Sequence, residues 1–419
     1  MELLPLNSAF TRVITLAAQR PVHAAFAWLH GNPKTIMDWQ AALVAIPAPP
    51  FGEQARTSWI TARFAEAGLT GIETDAIGNV TGWLRATSLP PESTGPIVVI
   101  SAHLDTVFPA GIHLNPQVDG DRIESPGACD NAAGVAGMLA IAKALVSSEI
   151  ELAAPLLFLA NVGEEGEGDL RGVRHFYSHS GLASRVAAHI VLDGAGADSA
   201  VTQALGSRRF RITVSGPGGH SFTDAGTPNP IAALASALAA IAGTPLPEEP
   251  RTTLNLGTIQ GGTSVNSIPE SAQASIDFRS TNAEQLLLLE VALHRAVEDA
   301  VEHWNAEAKY AAKDGRGSLA YKIEKIGDRP AAQLPANSPL LEALNAVDRH
   351  LGLRSNLRLG STDANIPLSL GVPSLSMGAG GDGGGAHTLA EWYSAKDRET
   401  GLKRVLLLAL TMTEWAAEL

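Results

Sequence analysis

Residues 156–172 read LLFLANVGEEGEGDLRG, an apolar run that leads into two adjacent glutamates, Glu164 and Glu165. The run 156–161 predicts a buried β-strand, since it is short, apolar and followed by a glycine-containing turn. Successive side chains of an extended segment point in opposite directions, so the two carboxylates can reach different partners. The function of the chain therefore depends on which other segments bring partners to this strand end.

The composition indicates a folded, acidic protein. The chain has 419 residues, of which 45% are hydrophobic and 17% charged, and its formal net charge is -13. These values are typical of a globular protein with a large core. The negative charge argues against nucleic acid or an anionic membrane as a partner, because both attract basic surfaces. The single cysteine, Cys129, cannot form an internal disulfide, which favours a cytoplasmic location.

The N-terminal segment, residues 1–20, lacks the features of a targeting sequence. It has an early acidic residue, Glu2, no basic region, and polar residues within each apolar run. Neither a secretory signal nor a membrane span has this pattern. We expect an amphipathic helix that packs on the body of the protein.

Helical and strand patterns alternate in the first and last parts of the chain. Predicted helices are 8–46 with a break at 31–33, 53–67, 131–146, 338–352 and 396–417. Predicted strands are 79–84, 97–101, 156–161, 189–192, 356–359 and 373–377. This alternation predicts an α/β fold with a mostly parallel central sheet flanked by helices.

A different pattern begins at residue 208. Strand, helix, two strands, helix and strand follow one another, which is the order of a ferredoxin-like α+β unit. The corresponding segments are 208–216, 229–242, 251–259, 271–278, 282–305 and 320–326. We therefore predict one domain from residues 1–207 and 329–419, interrupted by an inserted domain of residues 208–328.

Side chains that can bind metal follow several predicted strands. Four segments each place an acidic or imidazole group just beyond a strand end, and a fifth does so after a glycine-rich loop. These residues are His103, Asp130, the pair Glu164 and Glu165, Asp193, and His387. Open α/β sheets assemble their sites at the carboxyl ends of strands, so we expect the five segments to meet.

Each residue also has an ordinary structural explanation when taken alone. Asp130, at the start of a predicted helix, suits an N-cap, and Asp193, before a glycine, suits a turn. As a set, however, two imidazoles and three carboxylates are the donors expected for a pair of borderline or hard divalent ions. One glutamate of the adjacent pair can bind metal while its neighbour moves a proton.

The residues around this set point to metal chemistry rather than to other catalytic patterns. His103 and Asp105 project from the same face of an extended segment, and a metal-bound imidazole has its second ring nitrogen held by such an acceptor. Residues 378–383, GAGGDG, match the glycine spacing of a dinucleotide site but lack the helix that should follow. The chain contains no G-x-S-x-G elbow of a serine hydrolase.

Five motifs, in chain order HLDT, GACDN, GEEGEG, LDG and AHTLAEW, resemble those of the co-catalytic dizinc peptidase and deacylase family. That family includes peptidase T, glutamate carboxypeptidase, acetylornithine deacetylase and aminoacylase. The resemblance implies a zinc exopeptidase-like catalytic domain and makes the inserted domain a lid and dimerisation domain. It also implies a homodimer through that domain.

The resemblance implies a role for each member of the metal-binding set. His103 and Asp193 would bind one ion, Glu165 and His387 would bind the other, and Asp130 would bridge both. The ions would be Zn²⁺, with Co²⁺ or Mn²⁺ as alternatives.

Further roles follow from the same resemblance. Glu164 would be the general base, Asp105 would orient the imidazole of His103, and His220 in SGPGGHSF would reach the carbonyl oxygen of the substrate. The substrate contacts that it implies are Asn266, Arg279 and Gly380.

The activity that these features favour is metal-dependent hydrolysis of an amide bond in short peptides. An aspartate rather than a glutamate at position 193 resembles the aminopeptidase and tripeptidase branch of the family. An N-acyl-amino-acid deacylase or a carboxypeptidase remains an alternative with the same machinery. A non-catalytic binding protein on this fold is a third hypothesis, but such a protein should have lost ligands or the base.

Overall fold

The structure is a computed structural model that describes residues 9–85, 94–112, 114–309 and 317–419. The chain divides into two compact units. The first comprises Met1–Ala204 and Gln333–Leu419, and the second comprises Leu205–Ala332. The second unit is therefore inserted into the first in sequence, while its function as a lid stays a prediction.

The elements of both units follow in chain order. The helices are α1 (Ala9–Ala17), α2 (Arg20–Gly31), α3 (Pro33–Val44), α4 (Gln54–Ala67), α5 (Ala132–Ser147), α6 (Arg171–His179), α7 (Pro230–Ala242), α8 (Ala283–Ala306), α9 (Pro339–Leu351), α10 (Asn365–Ser369) and α11 (Arg398–Ala416). The strands are β1 (Thr70–Thr74), β2 (Val80–Leu84), β3 (Ile97–His103), β4 (Gln117–Asp119), β5 (Arg122–Glu124), β6 (Leu156–Asn161), β7 (Val186–Leu192), β8 (Ser199–Ala204), β9 (Gly206–Ser215), β10 (Gly219–His220), β11 (Thr252–Gly261), β12 (Ser267–Ile268), β13 (Ser271–Ser280), β14 (Ala320–Arg329), β15 (Ala332–Gln333), β16 (Asn356–Gly360), β17 (Ser374–Met377), β18 (Asp382–Gly384) and β19 (Trp392–Ser394).

The first unit is built on a sheet with the strand order β1-β2-β6-β3-β7-β17-β8-β15, in which β16 also pairs with β8. Its centre, from β6 through β3 and β7 to β17, is parallel. Antiparallel pairs β1–β2, β2–β6 and β8–β17 extend it on both sides. Every residue of β3, β6 and β7 is buried, which explains why these strands are mostly apolar rather than alternating. The predicted α/β fold is confirmed.

Helix α5 lies at the centre of this unit and is buried on nearly all sides. Small residues allow its neighbours to approach closely. A Cβ atom added to Gly137, for example, would lie 2.5 Å from the Cβ atom of Ala379. A helix that is apolar all round belongs in a core rather than at a surface, and α5 packs against both β3 and β7. Its N-terminus is therefore held at the carboxyl ends of the parallel strands.

The second unit contains a four-stranded antiparallel sheet with the order β11-β13-β9-β14. Helices α7 and α8 pack together and against this sheet. Their contact surface is an apolar core that includes Phe210, Leu234, Phe278 and Leu293. The chain order and the strand order are those of the predicted ferredoxin-like unit.

Local sequence patterns identified most long elements but missed several short ones. The predicted helix 8–46 is interrupted at residues 18–19 as well as near Asn32, and its first residue lies outside the described residues. Helix α6 was not predicted, because only two turns of its amphipathic pattern are present. None of the helices in the described ranges is long and apolar enough to cross a membrane.

A buried ion pair joins α9 and α11. The Arg404 guanidinium donates to the Asp348 carboxylate through Nε at 2.6 Å and Nη2 at 3.0 Å. Both side chains are almost completely buried. Arg404 also donates to the backbone carbonyl of Ser199 at the start of β8. The ion pair therefore connects α9 and α11, and the hydrogen bond to Ser199 connects both helices to β8.

Removal of one partner of this pair should destabilise the fold strongly. We expect Asp348→Ala to lower the free energy of unfolding by about 3–5 kcal/mol, because Arg404 is left buried and unpaired. The double variant Asp348→Leu/Arg404→Met should recover a large part of that loss, since both charges are gone. Denaturant unfolding of the three proteins measures this difference. A double variant no more stable than Asp348→Ala would contradict the expectation.

Candidate metal centre

The topology of the central sheet brings the predicted metal ligands together. Strand β3 ends at His103 and lies between β6 and β7, parallel to both. The two glutamates Glu164 and Glu165 follow β6, and Asp193 follows β7. Since parallel neighbours end at the same edge of a sheet, these side chains meet there. Asp130 reaches the same edge because it directly precedes α5.

One group of possible ligand atoms surrounds His103. Its Nε2 atom lies 3.1 Å from Oδ1 of Asp130 and 3.8 Å from Oδ1 of Asp193. The imidazole is almost completely buried, whereas both carboxylates remain partly exposed. Each residue offers one ligand atom, and the three atoms lie within 4.8 Å of one another. This geometry could hold one metal ion.

A second group surrounds His387. Its Nε2 atom lies 3.1 Å from Oδ2 of Asp130 and 3.1 Å from Oε1 of Glu165. These three atoms also lie within 4.8 Å of one another. Asp130 belongs to both groups, and its two oxygens face two different imidazoles. The arrangement is that of two adjacent ion positions with a shared carboxylate.

The chemistry of these residues fits a pair of divalent ions. Oδ1 of Asp130 is buried, and despite its short distance to His103 it accepts no hydrogen bond from the described residues. A buried carboxylate oxygen without a donor is costly, and a cation at this position would remove that cost. Imidazole nitrogen and carboxylate oxygen are also the donors that zinc and similar ions accept.

The imidazoles and carboxylates of the site shift one another's pKa values. Burial alone would lower the pKa of His103, but the carboxylates around it raise that pKa well above its usual value. Asp130 and Glu165 raise the pKa of His387 to about 10. Burial opposes ionisation of Asp130, yet the two imidazoles hold its pKa well below the usual range. Metal ions would take the place of the imidazole protons in this network.

Asp105 contacts both His103 and the segment that carries the two glutamates. Its carboxylate is completely buried and accepts the backbone N–H groups of Glu164 at 2.9 Å and Glu165 at 2.8 Å. Nδ1 of His103 lies 3.1 Å from the backbone carbonyl oxygen of Asp105 and 3.6 Å from its Oδ1 atom, so the closer contact of the imidazole is with the backbone. Burial would raise the pKa of Asp105, but His103 and the two N–H groups lower it. Asp105 is therefore placed to orient both the imidazole and the glutamate pair.

Asn131, rather than Asp130, caps helix α5. Its Oδ1 atom accepts the N–H groups of Gly134 at 3.1 Å and Gly194 at 3.0 Å. Its Nδ2 atom donates to the carbonyl of Leu192. The side chain of Asp130 is thus available to the imidazoles, and the N-cap explanation for it is wrong. Sequence reasoning overlooked Asn131, although its position before an apolar helix is an N-cap signal.

A buried aspartate that the sequence did not single out lies close to the site. Asp363 is completely buried, and its Oδ2 atom accepts a hydrogen bond of 2.7 Å from Asn161, the last residue of β6. Burial raises the pKa of Asp363 to about 7. Asn161 pairs in register with His103, so Asp363 is hydrogen-bonded to the strand neighbour of a predicted metal ligand.

The remaining predicted residues are distributed over both units. His220, Asn266 and Arg279 belong to the second unit, where β10 pairs with β12 and places His220 beside Ser267. Arg279 donates to Asp277 at 2.7 Å. Their contacts with a substrate stay predictions.

Gly380 lies in the first unit, where it is buried against helix α11. An added Cβ atom would lie 2.3 Å from the carbonyl oxygen of Arg398, and its φ of +79° favours glycine. Its own carbonyl accepts the hydroxyl of Tyr393. These contacts account for a glycine at this position by packing, and the predicted substrate contact stays a prediction.

Comparison with known proteins assigns the chain to a family. A sequence model of the peptidase family M20/M25/M40 matches residues 99–411. The uncharacterized protein YqjE of Bacillus subtilis (strain 168) is 24% identical over 359 residues, which cover 83% of this chain and 91% of that protein. A probable carboxypeptidase of Aspergillus clavatus is 28% identical over 269 residues. That match spans 59% of this chain and only 58% of the fungal protein.

A solved structure shows the same fold at low sequence identity. A tripeptidase from Staphylococcus aureus superposes with a TM-score of 0.71 at 21% identity, over 93% of this chain and 99% of that chain. The two-unit architecture is thus shared with a known peptidase. With the family match over residues 99–411, the chain belongs to peptidase family M20/M25/M40, whose members are metal-dependent hydrolases of amide bonds.

Proposed function

We propose that the protein is a two-metal exopeptidase that cleaves short peptides, with Glu164 as its general base. The observation that carries this proposal is the position of Asp130 between two imidazoles. Its Oδ1 and Oδ2 atoms each lie 3.1 Å from a different histidine, His103 or His387. A single carboxylate shared in this way suits two adjacent cations rather than one.

The protein residues divide into two sets that would hold the ions. His103, Asp130 and Asp193 would hold one ion, and Asp130, Glu165 and His387 would hold the other. When bound, two Zn²⁺ ions, or alternatively Co²⁺ or Mn²⁺, would lower the pKa of a water molecule and polarise the scissile carbonyl.

Glu164 would move a proton in this mechanism. Its side chain is nearly buried and lies in the same cluster as His103 and Glu165. Its backbone N–H group is held by Asp105, which limits movement of this segment. Glu164 would accept a proton from the attacking water and return it to the leaving nitrogen.

Residues of the second unit would complete the recognition of the substrate. His220 would donate a hydrogen bond to the carbonyl oxygen as negative charge develops on it. Arg279 carries a guanidinium group, whose fork can bind both oxygens of a peptide carboxylate. Asn266, whose backbone carbonyl accepts the N–H group of Ser221, directly precedes Ser267, the partner of His220, and would add a polar contact.

The preferred substrate is a short peptide with a free amino terminus. The similarity of the fold to a tripeptidase and the aspartate at position 193 both support this choice. A carboxypeptidase is the second candidate, because a probable carboxypeptidase of Aspergillus clavatus is 28% identical over the matched part. An N-acyl-amino-acid deacylase would use the same residues.

A homodimer through the second unit is part of this proposal. Strand β11 lies at the edge of its sheet, and most of its residues are exposed. Leu256 and Ile259 on this strand present apolar side chains to solvent. An exposed edge strand with apolar residues readily pairs with another chain.

Loss of the carboxylate at position 164 should abolish turnover without loss of the metal centre. We expect Glu164→Gln to retain two ions and its thermal stability, while kcat falls by about 10²–10⁴-fold because the base is lost. Steady-state kinetics and elemental analysis of the same preparation measure both properties. Glu167→Gln, an exposed glutamate of the same loop, is the matched control and should retain wild-type kinetics. Wild-type activity of Glu164→Gln would show that the base is assigned incorrectly.

Metal content should distinguish the shared ligand from the unshared ones. A chelator should inactivate the enzyme, and Zn²⁺, Co²⁺ or Mn²⁺ should restore activity. Asp130→Ala should lose both ions, whereas Asp193→Ala and His387→Ala should each weaken mainly one. Elemental analysis after equilibrium dialysis against a fixed free-metal concentration measures the stoichiometry. Equal loss in all three variants would contradict the two-group arrangement.

A small peptide panel should identify the type of exopeptidase. We expect a free tripeptide to be cleaved with a higher kcat/KM than its N-acetylated form, and the first residue to be released. Mass spectrometry of the products gives the site of cleavage. Release of the last residue from an N-blocked peptide would indicate a carboxypeptidase, and release of acetate would indicate a deacylase.

A further inference from the structure

A buried glutamate outside the two ligand groups accepts the backbone of the loop that carries Asp130. Glu391 is only 1% exposed. Its Oε1 atom accepts the N–H groups of Cys129 at 2.8 Å and Asp130 at 2.7 Å. Its Oε2 atom accepts the N–H group of Gly127 at 2.8 Å. One carboxylate thus satisfies three backbone donors within four consecutive residues.

These hydrogen bonds fix the direction in which Asp130 points. Charged acceptors form short, strong hydrogen bonds with backbone N–H groups. The N–H group of Asp130 itself is among the three, so the backbone from which its side chain projects is held directly. Gly127 lies so close to Thr106 that an added Cβ atom would approach its Cγ2 atom to 2.9 Å. The loop therefore has little room to take another path.

The backbone of Glu391 anchors the loop that carries His387. Glu391 is four residues after this histidine, and its N–H group donates to the carbonyl of Thr388. Its carbonyl accepts the N–H group of Ser125, where the Asp130 loop begins. The next residue, Trp392, pairs in register with Glu124 of β5. A single residue therefore joins the two loops by its backbone and by its side chain.

A buried cation offsets the charge that this arrangement introduces. Arg56 of α4 is completely buried and donates to the carbonyls of Ile46 and Leu104. Burial lowers the pKa of Arg56 to about 10, and the carboxylates of Asp105 and Glu391 oppose that shift. The same guanidinium thus interacts with the two carboxylates that hold the ligand loops. Asp105 accepts the backbone of the glutamate pair, and Glu391 accepts the backbone of the Asp130 loop.

We infer that Glu391 is a positioning residue that sets the distance between Asp130 and His387, and with it the affinity and geometry of the shared metal pair. It acts on this distance through the backbone of two loops, without contact with the substrate. This inference rests on the proposed two-metal function, because it concerns the same ligands. It adds a residue that no ligand pattern identifies, since Glu391 itself faces backbone donors rather than an ion position.

Cobalt titration of the metal-free protein tests this inference. Glu391→Gln keeps the shape of the side chain, but its amide NH₂ group would face a backbone N–H group in place of one carboxylate oxygen. We expect the wild type to bind two Co²⁺ ions and this variant to bind at least one about 10–100-fold more weakly, as for other residues that orient metal ligands. The visible absorption bands of bound Co²⁺, which report its coordination, should also change.

Glu124→Gln is the matched control for this experiment. Glu124 is an exposed glutamate that pairs with Trp392, the residue next to Glu391, and its side chain contacts Arg122. This variant should bind Co²⁺ with wild-type affinity and absorption. Circular dichroism of each metal-free protein verifies folding. If Glu391→Gln does not fold, Glu391→Asp, which keeps the charge on a shorter side chain, is read in the same titration.

Two negative outcomes have different meanings. A wild-type protein that binds no Co²⁺ would refute the proposed two-metal function. A wild type that binds two ions, together with a folded Glu391 variant of identical affinity and absorption, would overturn the role of Glu391 alone.

Discussion

Mutual repulsion among closely spaced carboxylates is the constraint on which the rest of this site depends. Five acidic side chains meet at one edge of the parallel sheet: Asp105, Asp130, Glu164, Glu165 and Asp193. Like charges at such short distances repel one another, most strongly where the side chains are buried. Imidazoles lie next to Asp130, Glu165 and Asp193, and backbone N–H groups donate to Asp105, which offsets part of this repulsion. The proposed pair of divalent ions would balance the excess of carboxylates over imidazoles at this edge.

Two kinds of compensation have separate roles. His103 and His387 act directly on the carboxylate of Asp130, each at 3.1 Å from one of its oxygens. Asp105 and Glu391 act on the ligands indirectly, since their carboxylates accept backbone N–H groups of the loops that carry the ligands. Direct contacts determine which ions fit. Contacts to the backbone determine how precisely the ligands are placed, and loss of such contacts typically weakens metal binding about 10–100-fold.

In the proposed function, the residues with assigned roles come from both units of the chain. The metal-binding set and Glu164 lie in the first unit, and His220 and Arg279 lie in the second. Membership of the M20/M25/M40 family follows from the sequence match over residues 99–411, which includes parts of both units. The choice among an aminopeptidase, a carboxypeptidase and a deacylase depends on which end of a substrate is bound. That choice rests on pocket shape, which varies within one family while the metal ligands stay the same.

The sequence by itself determined the types of ligand and the strands that carry them. Apolar runs that end in His103, Glu164 and Asp193 predict parallel buried strands, and parallel strands must end at a common edge. Only the tertiary structure decided how Asp130 is used. Its carboxylate bridges two imidazoles, while Asn131 caps the helix, and Glu391 binds its backbone from 261 residues away. The periodicity of apolar residues reflects interactions between residues that are near one another in the chain. The contacts of Asp130 with His387 and Glu391 form only when the tertiary structure brings distant loops together.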